Sequence, residues 1–202
     1  MTPIFSRLYL VTPDEGDDDA LLACLVAAAT AGDVAALLIR GPNENVLASR
    51  AKALTKPAQD HDIAVLIHGN GMIATDVGAD GMHVALEDAA HPSAIENAHK
   101  ALANDSIVGV ASPNSRHQAM QLAEQEPDYI AFDDHEMAMW WAPLFQVPCV
   151  ALAPASLETA AKLAQAGVEF VCPSLEIWAN QSDASRLAQL YTEAMADESS
   201  VA

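Results

Sequence analysis

The sequence predicts a single (β/α)₈ barrel, an eight-unit α/β fold. Three observations lead there. Eight short apolar runs of β-type recur along the chain. Each is followed by a segment with helical spacing or by a turn. The runs are near-continuously apolar instead of alternating, as in a parallel sheet covered by helices. The chain has 202 residues and a 51% apolar share, enough for one buried core of ordinary size.

The runs are RLYLVT (7–12), VAALLIR (34–40), IAVLIH (63–68), GMHVA (81–85), SIVGVA (106–111), DYIAF (128–132), PCVALA (148–153) and EFVC (169–172). The first helix follows Asp17, Asp18 and Asp19, acids that suit a positive helix N-terminus. It is expected to end at Gly32 in a left-handed cap. Ser93 and Glu96 have the spacing of a capping box. Ser156 opens a helix that closes at Gly167. A final helix runs from about 183 to 195, with Ala184, Leu187, Leu190, Tyr191 and Ala194 on one side. An open doubly wound sheet is the alternative; it lacks support because no Gly-rich phosphate loop follows the first strand. No linker, repeat or low-complexity segment divides residues 1–202.

Nine Lys and Arg against 28 Asp and Glu leave a formal charge of −19. An acidic protein of this kind is not expected to bind nucleic acid or an anionic membrane. Cys24, Cys149 and Cys172 lie in apolar runs without CxxC spacing and read as buried thiols of a reducing compartment. No targeting segment or membrane span is visible, so the expected location is cytoplasmic.

Barrel sites lie at the C-terminal ends of the strands. The polar residues there are Thr12 and Asp14; Arg40, Asn43 and Glu44; His68 and Asn70; Glu87 and Asp88; Ser112 and Asn114; Asp133, Asp134, His135 and Glu136; Ser156; and Ser174 and Glu176. Each has a plainer reading. Arg40 pairs with Asp88 or Glu44 in a structural bridge, or grips an anion. His68 is a core histidine or a general base. Asp88 caps a helix or binds a cation. The 133–136 run is a helix N-terminus. Ser112, Asn114 and Ser156 are helix caps. His83, inside a strand, is a packed, hydrogen-bonded residue, whereas His99 and His117 are solvated. Trp140 and Trp141 are core packing or a partner surface.

Several stretches carry a resemblance: LYLVT (8–12), LLIR (37–40), VGADGMHVALEDAA (77–90), IVGVAS (107–112), PDYIAF (127–132), VPCVAL (147–152) and AGVEFV (166–171). In order and spacing they resemble thiamine phosphate synthase and its sister, the thiazole tautomerase, over about residues 8–178. The resemblance implies the same barrel, a role in thiamine metabolism and the joining of a pyrimidine pyrophosphate to a thiazole phosphate with Mg²⁺. It implies Arg40 as a catalytic candidate and Arg40 and Ser174 as substrate contacts; the strand-end reading adds His68 as a catalytic candidate and Asn70 and Ser112 as substrate contacts. It also implies Asp88 as a Mg²⁺ ligand and a small phosphorylated metabolite as partner; the strand-end reading adds Asp133 as a further cation ligand and leaves a homo-oligomer open.

Many family positions differ. The strand-2 Gln, Arg and Lys become Leu38, Arg40 and Pro42. The strand-3 Asn-Asp pair becomes His68-Gly69. The second metal Asp is kept as Asp88, but the Gly-Gln before it is Ala85-Leu86. The strand-5 Ser becomes Ala111, and the tautomerase His falls near Pro113. The Gly after strand 6 is Asp133. The Gly-Gly phosphate turn becomes Ala153-Pro154, and Pro removes an amide donor. The expectation is a divergent member with ordinary synthase activity lost. The alternatives are a non-catalytic small-molecule-binding or interaction protein on an inherited barrel, and a different enzyme with His68 as base.

Overall fold

The computed structural model describes residues 6–89, 91, 93–103, 105–112 and 115–196. Eight parallel strands close into a barrel in sequence order. They are β1 (Arg7–Val11), β2 (Val34–Ile39), β3 (Ala64–His68), β4 (Gly81–Val84), β5 (Ile107–Ser112), β6 (Tyr129–Phe132), β7 (Cys149–Ala155) and β8 (Phe170–Pro173). All eight expected strands are present within a residue or two, because each apolar run faces helices on one side and the barrel interior on the other.

The helices around them are α1 (Asp18–Ala31), α2 (Glu44–Gln59), α3 (Gly71–Val77), α4 (Leu86–Ala89), α5 (Ala94–Ala101), α6 (Arg116–Ala123), α7 (His135–Trp141), α8 (Leu157–Gln165) and α9 (Gln181–Ala196). A 3₁₀ turn covers Leu175–Trp178. Asp17, Ser156 and Asp134 cap α1, α8 and α7 as expected, each accepting from a backbone N–H.

Three expectations need correction. Gly32 is extended, with φ −137°. Glycine is needed there for space: a Cβ would stand 2.6 Å from the Ala188 carbonyl oxygen, where the end of α1 meets α9. Ser93 makes no side-chain cap bond; its backbone turns out of the extended conformation that a capping hydroxyl requires. Ser112 is not a cap either. It is the last residue of β5 and is buried, and Ser115 caps α6 instead. Pro113 and Asn114 lie outside the described residues. On α9 the buried face is Ala184, Leu187, Ala188, Tyr191 and Met195, while Leu190 and Ala194 are only partly buried.

Two apolar layers result. A large one lies between strands and helices, and a smaller one fills the barrel with Tyr9, Val11, Ala36, Leu38, Leu66, Tyr129, Ala131, Val150 and Cys172. All three cysteines are buried free thiols. Trp141 is sealed in the outer core, stacked on Phe145, and Trp140 lies half-buried beneath the Arg116 guanidinium.

One row of the interior sets its chemistry. His68, His83, Gly109 and Tyr129 are in register across β3, β4, β5 and β6. Gly109 leaves the gap through which the Tyr129 phenol passes: a Cβ there would fall 1.8 Å from the phenol's Cζ. Gly109→Ala should therefore displace the ring, break its bonds to Tyr9 and His83, and destabilise the fold by about 1–3 kcal/mol, as overpacked cores do. Urea unfolding of the variant checks this; unchanged stability would contradict the packing described.

Candidate functional site

The C-terminal end of β2 is built by two side chains that hold the backbone of Arg40. The Thr12 hydroxyl, at the end of β1, accepts from the Arg40 N–H at 2.8 Å and donates to its carbonyl at 3.1 Å. Arg50, on α2, donates to the same carbonyl at 2.8 Å, to the Pro13 carbonyl at 2.5 Å and to Asp18 at 3.2 Å. Arg50 is 1% exposed. It is thus the structural arginine, tying β2 to the β1–α1 loop. Sequence reasoning missed it, since an arginine in the middle of a helix carries no mark of which carbonyls will converge on it.

Arg40 is left for other work. Its side chain is exposed, and it forms no ion pair with Asp88, Glu44 or any other carboxylate among the described residues. Instead its charge reaches the barrel axis. It presses on His68 and His83 and favours the thiolate form of Cys172. Burial nonetheless pushes the Cys172 thiol up to about 12, so it is inert near neutrality.

His68 ends β3 half-buried. Burial and then Arg40 lower its pKa, while Glu87, Asp14 and Asp88 pull the other way. Arg40, Glu87, Asp14 and Asp88 are thus within electrostatic reach of His68, but Asp88 lines a groove with Met82, His91 and Asn97 that neither Arg40 nor His68 enters. Asn70 and Asp133 have settings of their own. Asn70 caps α3 by accepting from the Ile73 N–H and donates to Glu44 at 3.1 Å. Asp133 is exposed at the end of β6, two strands from Asp88. Among the described residues no three His, Cys, Asp or Glu side chains gather as a metal cluster. The donor set for a hard cation is thin: Asp88 with adjacent Glu87, and no carboxylate at Gly69.

Ser174 makes a backbone contact within the protein. Its backbone N–H donates to the Tyr191 hydroxyl at 3.0 Å, and that hydroxyl donates to the Ala155 carbonyl. Tyr191 of α9 thereby bridges the ends of β7 and β8. The His135 Nε2 also bonds the Ala153 carbonyl at 2.9 Å. The β7–β8 ladder is interrupted between Ala151 and Ala155 and resumes where Ala155 pairs with Pro173, and Pro154 has no N–H to offer.

Beneath the mouth, His83 Nδ1 bonds the Tyr129 hydroxyl at 2.9 Å, and that hydroxyl bonds Tyr9 at 2.7 Å. His68 and His83 stack, with centroids 5.8 Å apart. Burial first, then the neighbouring His68 and Arg40, lower the His83 pKa to about 3. The packed, hydrogen-bonded reading of His83 is thus correct.

The family is decided by comparison. The model of the thiamine monophosphate synthase family matches residues 8–177. The chain belongs to this family. It is 36% identical over 190 residues to a thiamine-phosphate synthase of Rhodospirillum centenum, covering 85% of this chain and 89% of that one. A thiamine-phosphate synthase of Hyphomonas neptunium is 31% identical over 194 residues, 86% of each. Among solved structures, a thiamine phosphate pyrophosphorylase from Pyrococcus furiosus superposes with a TM-score of 0.76 at 18% identity, over 95% of this chain and 96% of that one. At that identity it supports the barrel fold alone. No described helix is long and apolar enough to cross a membrane.

Two outcomes follow for this thiamine monophosphate synthase family member. Arg50→Ala should cost roughly 1–3 kcal/mol in urea unfolding, because it removes the donor shared by partly buried carbonyls and a carboxylate; Arg50→Lys should recover little, having no planar fork. Acid should also act through His83. Its folded pKa lies below the unfolded value of about 6.5, so its contribution is fully present above that pH and is lost as pH falls towards about 3. Between pH 6 and 5 the wild type should lose about 1 kcal/mol more than His83→Asn. Parallel unfolding curves for the two proteins would refute a buried neutral His83.

Proposed function

We propose that this family member binds a small anionic metabolite of thiamine metabolism at the barrel mouth through Arg40, and does not perform the ordinary coupling of pyrimidine pyrophosphate with thiazole phosphate. The bridge made by Tyr191 carries the reading. The Ser174 N–H and the β7 end, where the resemblance expects a phosphate turn, are engaged with the protein itself. A pyrophosphate leaving group needs cations and preorganised donors. Here Pro42 and Leu38 stand where the family has Lys and Gln, and Gly69 stands where it has a metal Asp.

Arg40 is the exposed cation at the mouth without an internal partner among the described residues. An anion beside it compensates its charge and is held by the fork of donors that suits phosphate and carboxylate. Asp88 and Glu87 are the residues that would hold Mg²⁺, which takes one or two carboxylates together with phosphate oxygens; when bound it would neutralise charge on a phosphorylated ligand. A second reading, a different reaction with His68 as general base, draws on its pKa: the ring is neutral near pH 7, within the electrostatic reach of three carboxylates.

The test has two arms. Calorimetric titration with thiazole phosphate, thiamine phosphate and pyrophosphate should find a ligand, and Arg40→Ala should remove that affinity while changing stability by no more than about 0.5 kcal/mol. A synthase assay should detect almost no turnover, since each lost charge-stabilising donor costs roughly 10²–10³ in rate. A turnover near ~1 s⁻¹, within the ordinary enzyme range, would overturn the proposal and place the chain with its relatives named as synthases.

A further inference from the structure

An acid stands immediately before each even strand: Asp33 before β2, Asp80 before β4, Asp128 before β6 and Glu169 before β8. Three of them do the same structural work. Asp80 accepts the Val65 N–H of β3 at 2.7 Å, Asp128 the Val108 N–H of β5 at 2.7 Å, and Glu169 the Cys149 N–H of β7 at 3.0 Å. Each ties its own strand to the one before it. A backbone N–H satisfies an acceptor but supplies no countercharge. Asp33 is neutralised by Arg7 at 2.8 Å, whereas no described Lys or Arg pairs with the other three. The N-terminal end of the barrel is thus ringed by carboxylates in excess of cations.

Within that ring lies a cavity of about 310 Å³, lined by the starts of the strands and so at the end of the barrel opposite to Arg40. Tyr9, Tyr129 and Phe170 supply aromatic walls, and Ala35, Ala36 and Ala64 are too small to fill the space between them. The two tyrosine hydroxyls bond each other at 2.7 Å, which leaves the rings to do the lining. Ala64 and Phe170 are half-buried and Asp128 is exposed, so the cavity reaches solvent at a rim that carries the Asp128 carboxylate. Arg7 lines it too, with its guanidinium engaged by Asp33.

We propose that this cavity binds a small organic cation, with one apolar ring inside the cavity and an ammonium group at the rim beside Asp128. The chemistry of the lining selects the charge. Aromatic faces attract cations and repel anions. A carboxylate at the edge of apolar walls adds to that preference, and the chain's charge of −19 draws the same sign of ligand from solution. The volume selects the size: it lies near the lower bound for small-molecule sites, which limits the body to about one ring. This site and the anion reading of Arg40 lie at opposite ends of the barrel and take opposite charges, so either can fail without the other.

Three probes on one skeleton test it with the full chain: phenethylammonium, phenethyl alcohol and hydrocinnamate. In NMR titrations the ammonium should bind about tenfold more tightly than the alcohol, and the carboxylate most weakly. Shifts should centre on Ile107, Tyr129 and Phe170, not on Arg40 and His68, and added salt should narrow the gap between ammonium and alcohol. Asp128→Asn keeps an acceptor for the Val108 N–H; it should remove the preference for the ammonium and leave the alcohol unchanged. Ala64→Leu should exclude all three probes, with urea unfolding showing that the fold is kept. The ranking of probes on the wild type decides even where a variant fails to fold. Equal affinity for ammonium and alcohol overturns the cation, and no binding by any probe, or shifts centred on Arg40 and His68, overturns the site.

Discussion

The Tyr129 hydroxyl is the point on which the interior of this barrel depends. A barrel of this size is filled by side chains, normally branched apolar ones. Here one layer is made of two phenols and an imidazole, from β1, β6 and β4, joined by two hydrogen bonds. Polar groups at that depth persist only when partnered. Partnering requires Gly109, because any side chain there would occupy the path of the Tyr129 ring. At one end of the layer lies a mostly apolar cavity lined by Tyr9 and Tyr129, and Arg40 and His68 stand at the C-terminal ends of β2 and β3. The layer's electrostatic effect is simple: burial pushes the tyrosine pKa values up and that of His83 down, so all three are neutral over the ordinary pH range.

Scarcity of positive charge gives the two arginines near the mouth separate meanings. The chain has nine Lys and Arg in all. Lys56, Lys100 and Lys162 form exposed pairs along their own helices, the kind that contribute little. Arg50 is spent on the fold, where its planar donors meet carbonyls of two loops and the Asp18 carboxylate. Thr12 and Arg50 together fix the Arg40 backbone without touching its guanidinium. The position of Arg40 is thus rigid at the main chain while its charge stays available.

Fold and site were unequally legible. The eight strands read directly from the sequence because burial on both faces makes each run apolar, and that signal is local. The caps at Asp17, Asp134 and Ser156 were legible for the same reason. Gly32 and Ser93 were misread since their roles depend on distant partners: the first on the approach of α9, the second on the backbone turn before α5. Arg40, His68 and Asp88 were legible as polar residues at or just after strand ends, within electrostatic reach of one another through His68. Thr12 was seen only as a strand-end polar residue, and Arg50, Tyr191 and the Tyr9–Tyr129 pair were not seen as parts of the site. Their roles lie in carbonyls and hydroxyls contributed from 10 to 120 positions away, and no spacing rule records those.

The Tyr191 bridge is the contact on which the proposed separation of family membership from chemistry rests. A phosphate turn works by leaving backbone N–H groups without internal partners, so that an anion completes them. That arrangement is costly unless the ligand is present, because orphaned amides lose hydrogen bonds. Here the cost is removed from within. The phenol of α9 takes the Ser174 amide and returns its own hydrogen to Ala155, while Pro154 deletes a further donor. The C-terminal helix therefore closes the β7–β8 end of the mouth and stabilises the barrel by the same contact. What remains open is the β2–β4 side, where a free guanidinium, a neutral imidazole and carboxylates face one another. The proposed anion on Arg40 would be held on that side, by a guanidinium that no internal carboxylate occupies among the described residues.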